Sequence, residues 1–429
     1  MKTILKLRQI TDFIKENVGC ASLPVYDCGE GTFSFVFEDA GKRDFNGLCD
    51  ALRQRGLVSY QKTALQDNLF ETFPDGEMLL QIAFFGSEAR LQATVDAKTA
   101  LFPVEKYEGQ RTHQSEFFLF ETDHSMIDCG MCCILRLCDG SFFIIDSGHF
   151  LAVNDHDRLY RFMRERTPAG EKIRVAGWFF THGHDDHVCK ARDYIKKYAN
   201  DTEIERIYLN LIPEYHRDSG AWSASVRDIT AHFRQFIYSC GIPVVKLHTG
   251  QRFTVRGTDF TVLCTHEDVY PRSNEDYNDS SVVLMAEVAG QKILIPGDAS
   301  AVESDILEKR YGEALKCDII QVAHHAHFGL SEKLYRLTKA DVALFPTTYI
   351  FYLQDLEKYA ATRTVNDLAK ERFVSSDGTV GLPLPYRVGS AEIFPDETFE
   401  DFDAIGALWG YEYTEDFKRS LEERYRRKQ

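Results

Sequence analysis

Three histidines and two aspartates lie close together in residues 181–187, which read Thr-His-Gly-His-Asp-Asp-His. Neutral imidazoles and carboxylates are good ligands for zinc and similar divalent ions. The spacing His-x-His-x-Asp-His therefore predicts a metal site with His182, His184, Asp186 and His187 as ligands. The alternative is a polar turn that caps the next helix, in which the histidines have no shared role.

The elements around this segment would bring its side chains to one point. Residues 173–180 are an apolar run and predict a buried strand that ends directly before the first histidine. Residues 188–198 have the periodicity of a helix. A loop at the end of a buried strand can direct several side chains at one ion, so a strand–loop–helix unit is expected here.

Other polar residues follow strand-like runs in the same way. Residues 142–145 lead to Asp146, residues 292–296 lead to Gly297 and Asp298, and residues 318–323 lead to His324 and His325. Because side chains alternate along a strand, only one of the last two histidines can point inward. We favour His324 as a ligand, with His325 as its rival.

In this order the motifs resemble the metallo-β-lactamase superfamily. Residues 278–284, 297–298, 324–325 and 375–380 are similar to one branch, the soluble domain of bacterial competence DNA-uptake channel proteins (ComEC-like). The resemblance covers roughly residues 125–390. It implies an α+β fold, the four-layer αββα sandwich, and a metal-dependent phosphodiesterase or nuclease activity.

The resemblance also implies two divalent metal ions, zinc or manganese, with magnesium as a further option. The implied ligands are His182 and His184 for one ion, Asp186, His187 and either His324 or His325 for the other, and Asp298 as the bridge. Asp146 would lie beneath the site and orient the ligand loop. Asp186 and Asp298 are the residues on which catalysis would depend most directly.

One ligand of the family is missing from this sequence. The place of a histidine in the third motif is held by Asn278 or Asp279, and His266 is a nearby substitute. An oxygen-rich shell at that ion would favour manganese or magnesium. The branch's later Gly-Ser and Gly-His-Pro segments also differ here, so substrate contacts are expected to differ from those of DNA-uptake proteins.

The composition limits the partners. The chain has 429 residues, 44% of them hydrophobic, and a formal net charge of −16. An acidic surface repels phosphate backbones, which disfavours nucleic acid as a partner. We therefore expect a small-molecule or nucleotide-type phosphoester as the substrate.

The same sequence predicts a cytoplasmic protein without a membrane segment. No run approaches the roughly 20 apolar residues of a membrane helix, and no signal-peptide core follows the first basic residues. The eleven cysteines are scattered and odd in number, which fits a reducing compartment. The oligomeric state is left open.

Three regions are expected along the chain. Residues 1–115 predict a small α+β N-terminal domain or extension, for which we expect a packing role rather than a chemical one. Residues 116–390 predict the hydrolase domain, and residues 391–429 an acidic segment followed by a C-terminal helix.

The leading function is a hydrolase that uses a metal-activated water on a phosphodiester or related phosphoester. The alternatives are a thioester or lactone hydrolase of the same fold, and a catalytically weak metal-binding regulatory module. A redox role for Cys129 and Cys132 is a further interpretation. It is weaker, because free cysteines are commonly small buried hydrophobes.

Overall fold

The structure is a computed structural model that describes residues 2–18, 25–29, 31–76, 78–97, 100–124, 130–213, 223–269, 277–394, 414–416 and 419. Cys129, the acidic segment and most of the expected C-terminal helix lie outside these residues. Among the helices of the described part, none is long and apolar enough to cross a membrane.

The secondary structure of these ranges alternates helices and strands along most of the chain. The helices are α1 (Lys2–Val18), α2 (Lys42–Gln54), α3 (Asp155–Glu165), α4 (Asp185–Tyr198), α5 (Ser223–Ser239), α6 (Ala301–Tyr311), α7 (Glu332–Thr338), α8 (Tyr349–Lys358) and α9 (Ala360–Leu368). The strands are β1 (Val25–Asp27), β2 (Phe33–Phe37), β3 (Gln61–Leu65), β4 (Asn68–Asp75), β5 (Met78–Phe85), β6 (Arg90–Ala97), β7 (Glu116–Leu119), β8 (Cys132–Arg136), β9 (Phe142–Asp146), β10 (Ile173–Phe179), β11 (Thr202–Ile204), β12 (Ile207–Leu209), β13 (Val244–Lys246), β14 (Arg252–Val255), β15 (Thr258–Cys264), β16 (Val283–Val288), β17 (Gln291–Ile295), β18 (Ile319–Gln321), β19 (Val342–Phe345), β20 (Glu371–Val374), β21 (Val380–Pro383) and β22 (Glu392–Ile393).

Two sheets pack face to face in the larger part of the molecule. One has the order β13-β12-β10-β9-β8-β7-β21-β22 with β11 beside β10, and the other runs from β14 to β20 in chain order. Their inner faces share one apolar core, in which Phe143 stacks on Phe260 with ring centres 4.4 Å apart. Helices α3, α4 and α5 cover the outer face of the first sheet, and α6 to α9 cover the second. The predicted four-layer αββα arrangement is confirmed.

The strand directions bring several loops to one edge. Strands β9, β10, β12 and β13 are parallel, as are β17, β18, β19 and β20. Because both faces of each sheet are covered, strands such as β9 are continuous apolar runs. The polar loops follow the carboxyl ends of these strands. A hydrogen bond from Val282 N–H to Thr181 O, 2.9 Å long, joins the loops of the two sheets.

The N-terminal part forms a separate six-stranded sheet with the order β1-β2-β6-β5-β4-β3. Helices α1 and α2 pack on one face through an apolar cluster that includes Phe35 and Phe45. The other face carries buried polar side chains, among them Gln81, Gln92 and Asp96. The boundary at residue 115 stays a prediction, but this polar face packs against the larger part.

Buried charged side chains join the two parts. Nδ1 of His248 lies 2.9 Å from Glu267 Oε2, and its Nε2 lies 3.3 Å from Asp96 Oδ2 on β6. Lys246 Nζ donates to Thr32 Oγ1 at 2.6 Å. Burial alone lowers the pKa of His248, but the carboxylates of Glu267 and Asp96 outweigh it and raise the pKa to about 9. The imidazolium therefore bridges one carboxylate from each part.

Stability is expected to fall as this histidine loses its proton. A histidine whose pKa rises on folding stabilises the folded state fully below its unfolded pKa near 6.5, and this contribution disappears as the pH passes about 9. The loss amounts to about 3 kcal/mol at most. Urea unfolding of wild type and His248→Gln between pH 6 and 9.5 measures it. Parallel stability profiles for the two proteins would contradict the assignment.

Candidate metal centre

Asp146 supports the ligand loop from behind. It ends β9 with a left-handed backbone (φ 57°), and its oxygens accept hydrogen bonds from Thr181 N at 2.8 Å and Thr181 Oγ1 at 2.7 Å. Its Oδ2 also lies 2.7 Å from Nδ1 of His187. Burial raises the pKa of Asp146, whereas His187 and Thr181 oppose that rise.

The loop between β10 and α4 carries the first histidines. His182 is fully buried, and its ring centre lies 4.8 Å from that of His184, the residue that precedes α4. Burial and the neighbouring His187 hold the pKa of His182 well below its usual value. Its ring is therefore neutral, which is the state that binds a metal.

Asp298 follows β17 through a tight glycine turn. Gly297 has φ 59°, and a Cβ atom on it would lie 2.7 Å from Thr181 Cβ, so this position requires glycine. The Gln321 side chain bonds both backbone groups of Gly297, at 2.9 and 3.0 Å. Ser281 Oγ accepts from Asp298 N–H at 3.1 Å. These contacts fix the carboxylate at the shared edge.

His325, rather than His324, joins the cluster. Residues 324–326 all have left-handed backbones, with φ of 52°, 52° and 72°, so strand alternation does not apply to them. His325 Nε2 lies 3.0 Å from Asp186 Oδ2. The Nε2 atom of His324 instead lies 3.2 Å from Asn278 Nδ2. The structure thus departs from the preference for His324.

Two groups of donor atoms result, and Asp298 belongs to both. The first, called the four-donor site, consists of Asp186, His187, Asp298 and His325; the second, called the three-donor site, consists of His182, His184 and Asp298. Within each group the ligand atoms all lie within 4.8 Å of one another. Asp298 Oδ2 is 3.2 Å from His187 Nε2 and 3.8 Å from His182 Nε2.

The hydrogen bonds of the imidazoles leave their Nε2 atoms for a cation. His187 Nδ1 faces Asp146, and His325 Nδ1 lies 2.7 Å from the carbonyl of Pro346. Both Nδ1 atoms therefore carry the proton and donate. The two Nε2 atoms then face each other at 3.1 Å and lie 3.2 and 3.0 Å from carboxylate oxygens of Asp298 and Asp186, so protons or a metal ion must lie among them.

Unpartnered buried atoms also fit metal ions. Among the described residues, His182 Nε2 and Asp298 Oδ1 have no hydrogen-bond partner although both are buried. A buried polar atom without a hydrogen bond destabilises the protein. A single proton shared by His187 and His325 would leave His182 Nε2 and Asp298 Oδ1 without a partner. The donor set of imidazoles and carboxylates suits zinc or manganese.

Three candidates for the missing ligand lie elsewhere. Asp279 accepts from Ser300 Oγ, and burial together with Asp279 raises the pKa of Glu303 to about 8. His266 Nε2 lies 3.0 Å from Asn210 Oδ1. Asn278 meets His324, as described above. Neither Asp279 nor His266 belongs to the two donor groups of the described residues.

Sequence reasoning missed the residues that position the ligands, namely Thr181, Ser281, Gln321 and Pro346. Gln321 offered one signal, because it is a polar residue at the end of an apolar strand. Cys132 is buried in β8, and burial raises its pKa well above the usual value. This favours the packing interpretation of that cysteine.

Asp146→Asn is expected to weaken metal binding by about ten- to a hundredfold, because residues that orient a ligand histidine have effects of this size. Asparagine tolerates the left-handed backbone, so the loss should come from the contacts with His187 and Thr181. Competition with a chromophoric chelator measures the affinity. Asp193→Asn, on the solvent side of α4, serves as the control, and equal affinities in all three proteins would contradict the role of Asp146.

No protein-family model matches the chain, and no curated protein matches it in sequence. Solved structures do match. The metallo-beta-lactamase fold protein YhfI from Bacillus subtilis has 12% identity and a TM-score of 0.37, over 61% of this chain and 97% of that one. Unliganded yeast PDE1 has 12% identity and a TM-score of 0.37, over 63% and 99%. A long form RNase Z from yeast has 9% identity and a TM-score of 0.37, over 72% and 53%. The structural neighbours of this chain thus include proteins of the metallo-beta-lactamase fold.

Proposed function

We propose that this chain is a cytoplasmic metal-dependent hydrolase that uses an activated water on a phosphodiester or related phosphoester. The observation that carries the proposal is the pair of largely buried donor groups that share Asp298. The substrate class is supported by the motifs similar to those of the competence-protein branch, which run through the same residues. Zinc or manganese would occupy the two groups.

When bound, such ions lower the pKa of a water molecule and neutralise the charge that develops on a phosphoryl oxygen. The chain's own part is to hold the donors in place. Asp146 and Pro346 keep protons on the Nδ1 atoms of His187 and His325, so both Nε2 atoms stay available. Because these groups are buried, they need little rearrangement during a reaction.

Turnover of bis-p-nitrophenyl phosphate by chelator-stripped protein, with and without added manganese or zinc, tests the proposal. Elemental analysis of the same samples gives the metal content. Metal-dependent turnover with about two ions per chain is the expected result. Thioester or lactone turnover without phosphodiester turnover would favour the acyl hydrolase. Activity on no ester, in any ion, would favour the regulatory module.

A further inference from the structure

The two donor groups differ in the ligands that belong to each alone. The four-donor site has three of its own, Asp186, His187 and His325, and shares Asp298. Among the residues that the structure describes, the three-donor site has His182 and His184 of its own and relies on the shared carboxylate. Since affinity grows with the number of well-placed ligands, the four-donor site should fill first.

The described turn beside the three-donor site brings an aromatic ring and an amide towards it. The ring of Tyr277 lies 5.8 Å from that of His184. The next residue, Asn278, points its amide nitrogen at His324 Nε2, at 3.2 Å. The Asp279 carboxylate on the same turn is engaged by Ser300. The turn that would carry a third ligand therefore presents an amide.

The charges of the two ions and of the nearby carboxylates also indicate that the second ion needs a further ligand. Two divalent ions bring four positive charges, whereas the ligand carboxylates Asp186 and Asp298 bring two negative ones. Asp146 behind His187 adds a third, and the neighbouring Asp185 pairs with His149 at 3.6 Å instead, so the ligands and Asp146 leave one positive charge. Uncompensated charge in a buried site is costly. An anion that binds with the second ion, either hydroxide or a phosphoryl oxygen, would remove this cost.

We propose that the three-donor site holds its ion weakly by itself and is completed by an anionic phosphoryl oxygen, so that the second ion and a phosphate-type ligand bind cooperatively. The inference rests on the metal centre of the proposed function. Linkage requires that phosphate tightens the second ion by the same factor by which that ion tightens phosphate.

Metal binding to the chelator-stripped full-length chain tests this without any measurement of activity. Manganese is titrated by calorimetry at constant ionic strength, with either inorganic phosphate or chloride. In chloride we expect one tight ion and a second that is weaker by about tenfold or more. Phosphate should tighten the second ion by about tenfold and leave the first unchanged. Two equally tight ions in chloride, or a second ion that does not respond to phosphate, would overturn the proposal.

Two variants of Asn278 distinguish the effect of an added ligand from other effects of changing this residue. Asn278→His supplies an imidazole, so it should tighten the second ion in chloride and reduce the phosphate effect. Asn278→Ala removes the contact with His324 without a new donor, so the wild-type two-step titration should persist. A phosphate effect in Asn278→His as large as in wild type would contradict the inference.

His324→Ala addresses the rival explanation that His324 moves in as the third ligand. We expect the second ion to bind this variant as it binds wild type. A loss as large as that in His182→Ala would overturn the proposal. Failure of all ions to bind would refute the proposed function too, whereas two tight ions in chloride with normal phosphodiester turnover would refute only this inference.

Discussion

Asp298→Ala is expected to lower kcat on a phosphodiester by roughly a thousandfold or more, because it removes the one ligand common to both donor groups. Oδ2 of this aspartate lies 3.2 Å from His187 Nε2 and 3.5 Å from His325 Nε2. Its other oxygen has no hydrogen-bond partner in the described part of the chain. The turnover rate at saturating manganese, together with the metal content from elemental analysis, measures the effect.

The matched control for this variant is Asp341→Asn. Asp341 also carries a carboxylate beside a strand, directly before β19, but it is half-exposed and pairs with Lys370. We expect wild-type turnover from it. His182→Ala should resemble Asp298→Ala, although it removes a ligand from the three-donor site alone. Near-normal activity of Asp298→Ala with an intact circular dichroism spectrum would eliminate the assignment of Asp298.

The sequence was sufficient for the ligand loop because its information is local. The apolar run that contains β10 ends shortly before His182, and every residue of the strand except Arg174 is buried. Residues 182–187 then carry four of the seven predicted ligands. Asp146 and Asp298 follow the same rule, since each stands at the carboxyl end of a buried strand.

The choice between His324 and His325 needed backbone geometry that no pattern carries. Three successive left-handed residues are rare outside glycine, and neither histidine nor alanine signals them. The hydrogen bond from His324 N–H to Gly297 O helps hold this turn against the Asp298 loop. Which ring enters the cluster therefore depends on a contact between loops that are distant in sequence.

The sequence did not predict how the N-terminal part packs against the larger part, for a related reason. Strand β6 alternates polar and apolar residues, a pattern typical of a sheet with one wet face. Here the polar face is buried instead, because Asp96 and its neighbours pair with residues about 150 positions later in the chain. Alternation predicts the two faces of the strand but not what covers them.

Arg310→Met is expected to lower the free energy of unfolding by roughly 3–5 kcal/mol, the usual cost of breaking a buried ion pair from one side. The Arg310 side chain is fully buried; its Nη1 lies 2.6 Å from Asp268 Oδ1, and its Nε lies 2.5 Å from Glu88 Oε1. Its guanidinium also lies 3.4 Å from the ring centre of Phe85 on β5. The substitution therefore removes the ion-pair partner of the buried Asp268 where the N-terminal sheet meets α6. Chemical denaturation measures the loss.

A surface pair provides the comparison that isolates burial. Lys339→Met breaks the contact with Glu313, but both side chains are more than half exposed, so the loss should not exceed about 1 kcal/mol. The double variant Arg310→Met/Asp268→Asn should recover part of the stability lost in Arg310→Met, because it removes the charge that was left alone. If Arg310→Met costs no more than Lys339→Met, the buried cluster does not hold the N-terminal sheet in place. If the double variant recovers nothing, the loss comes from packing against Phe85 rather than from the unpaired carboxylate.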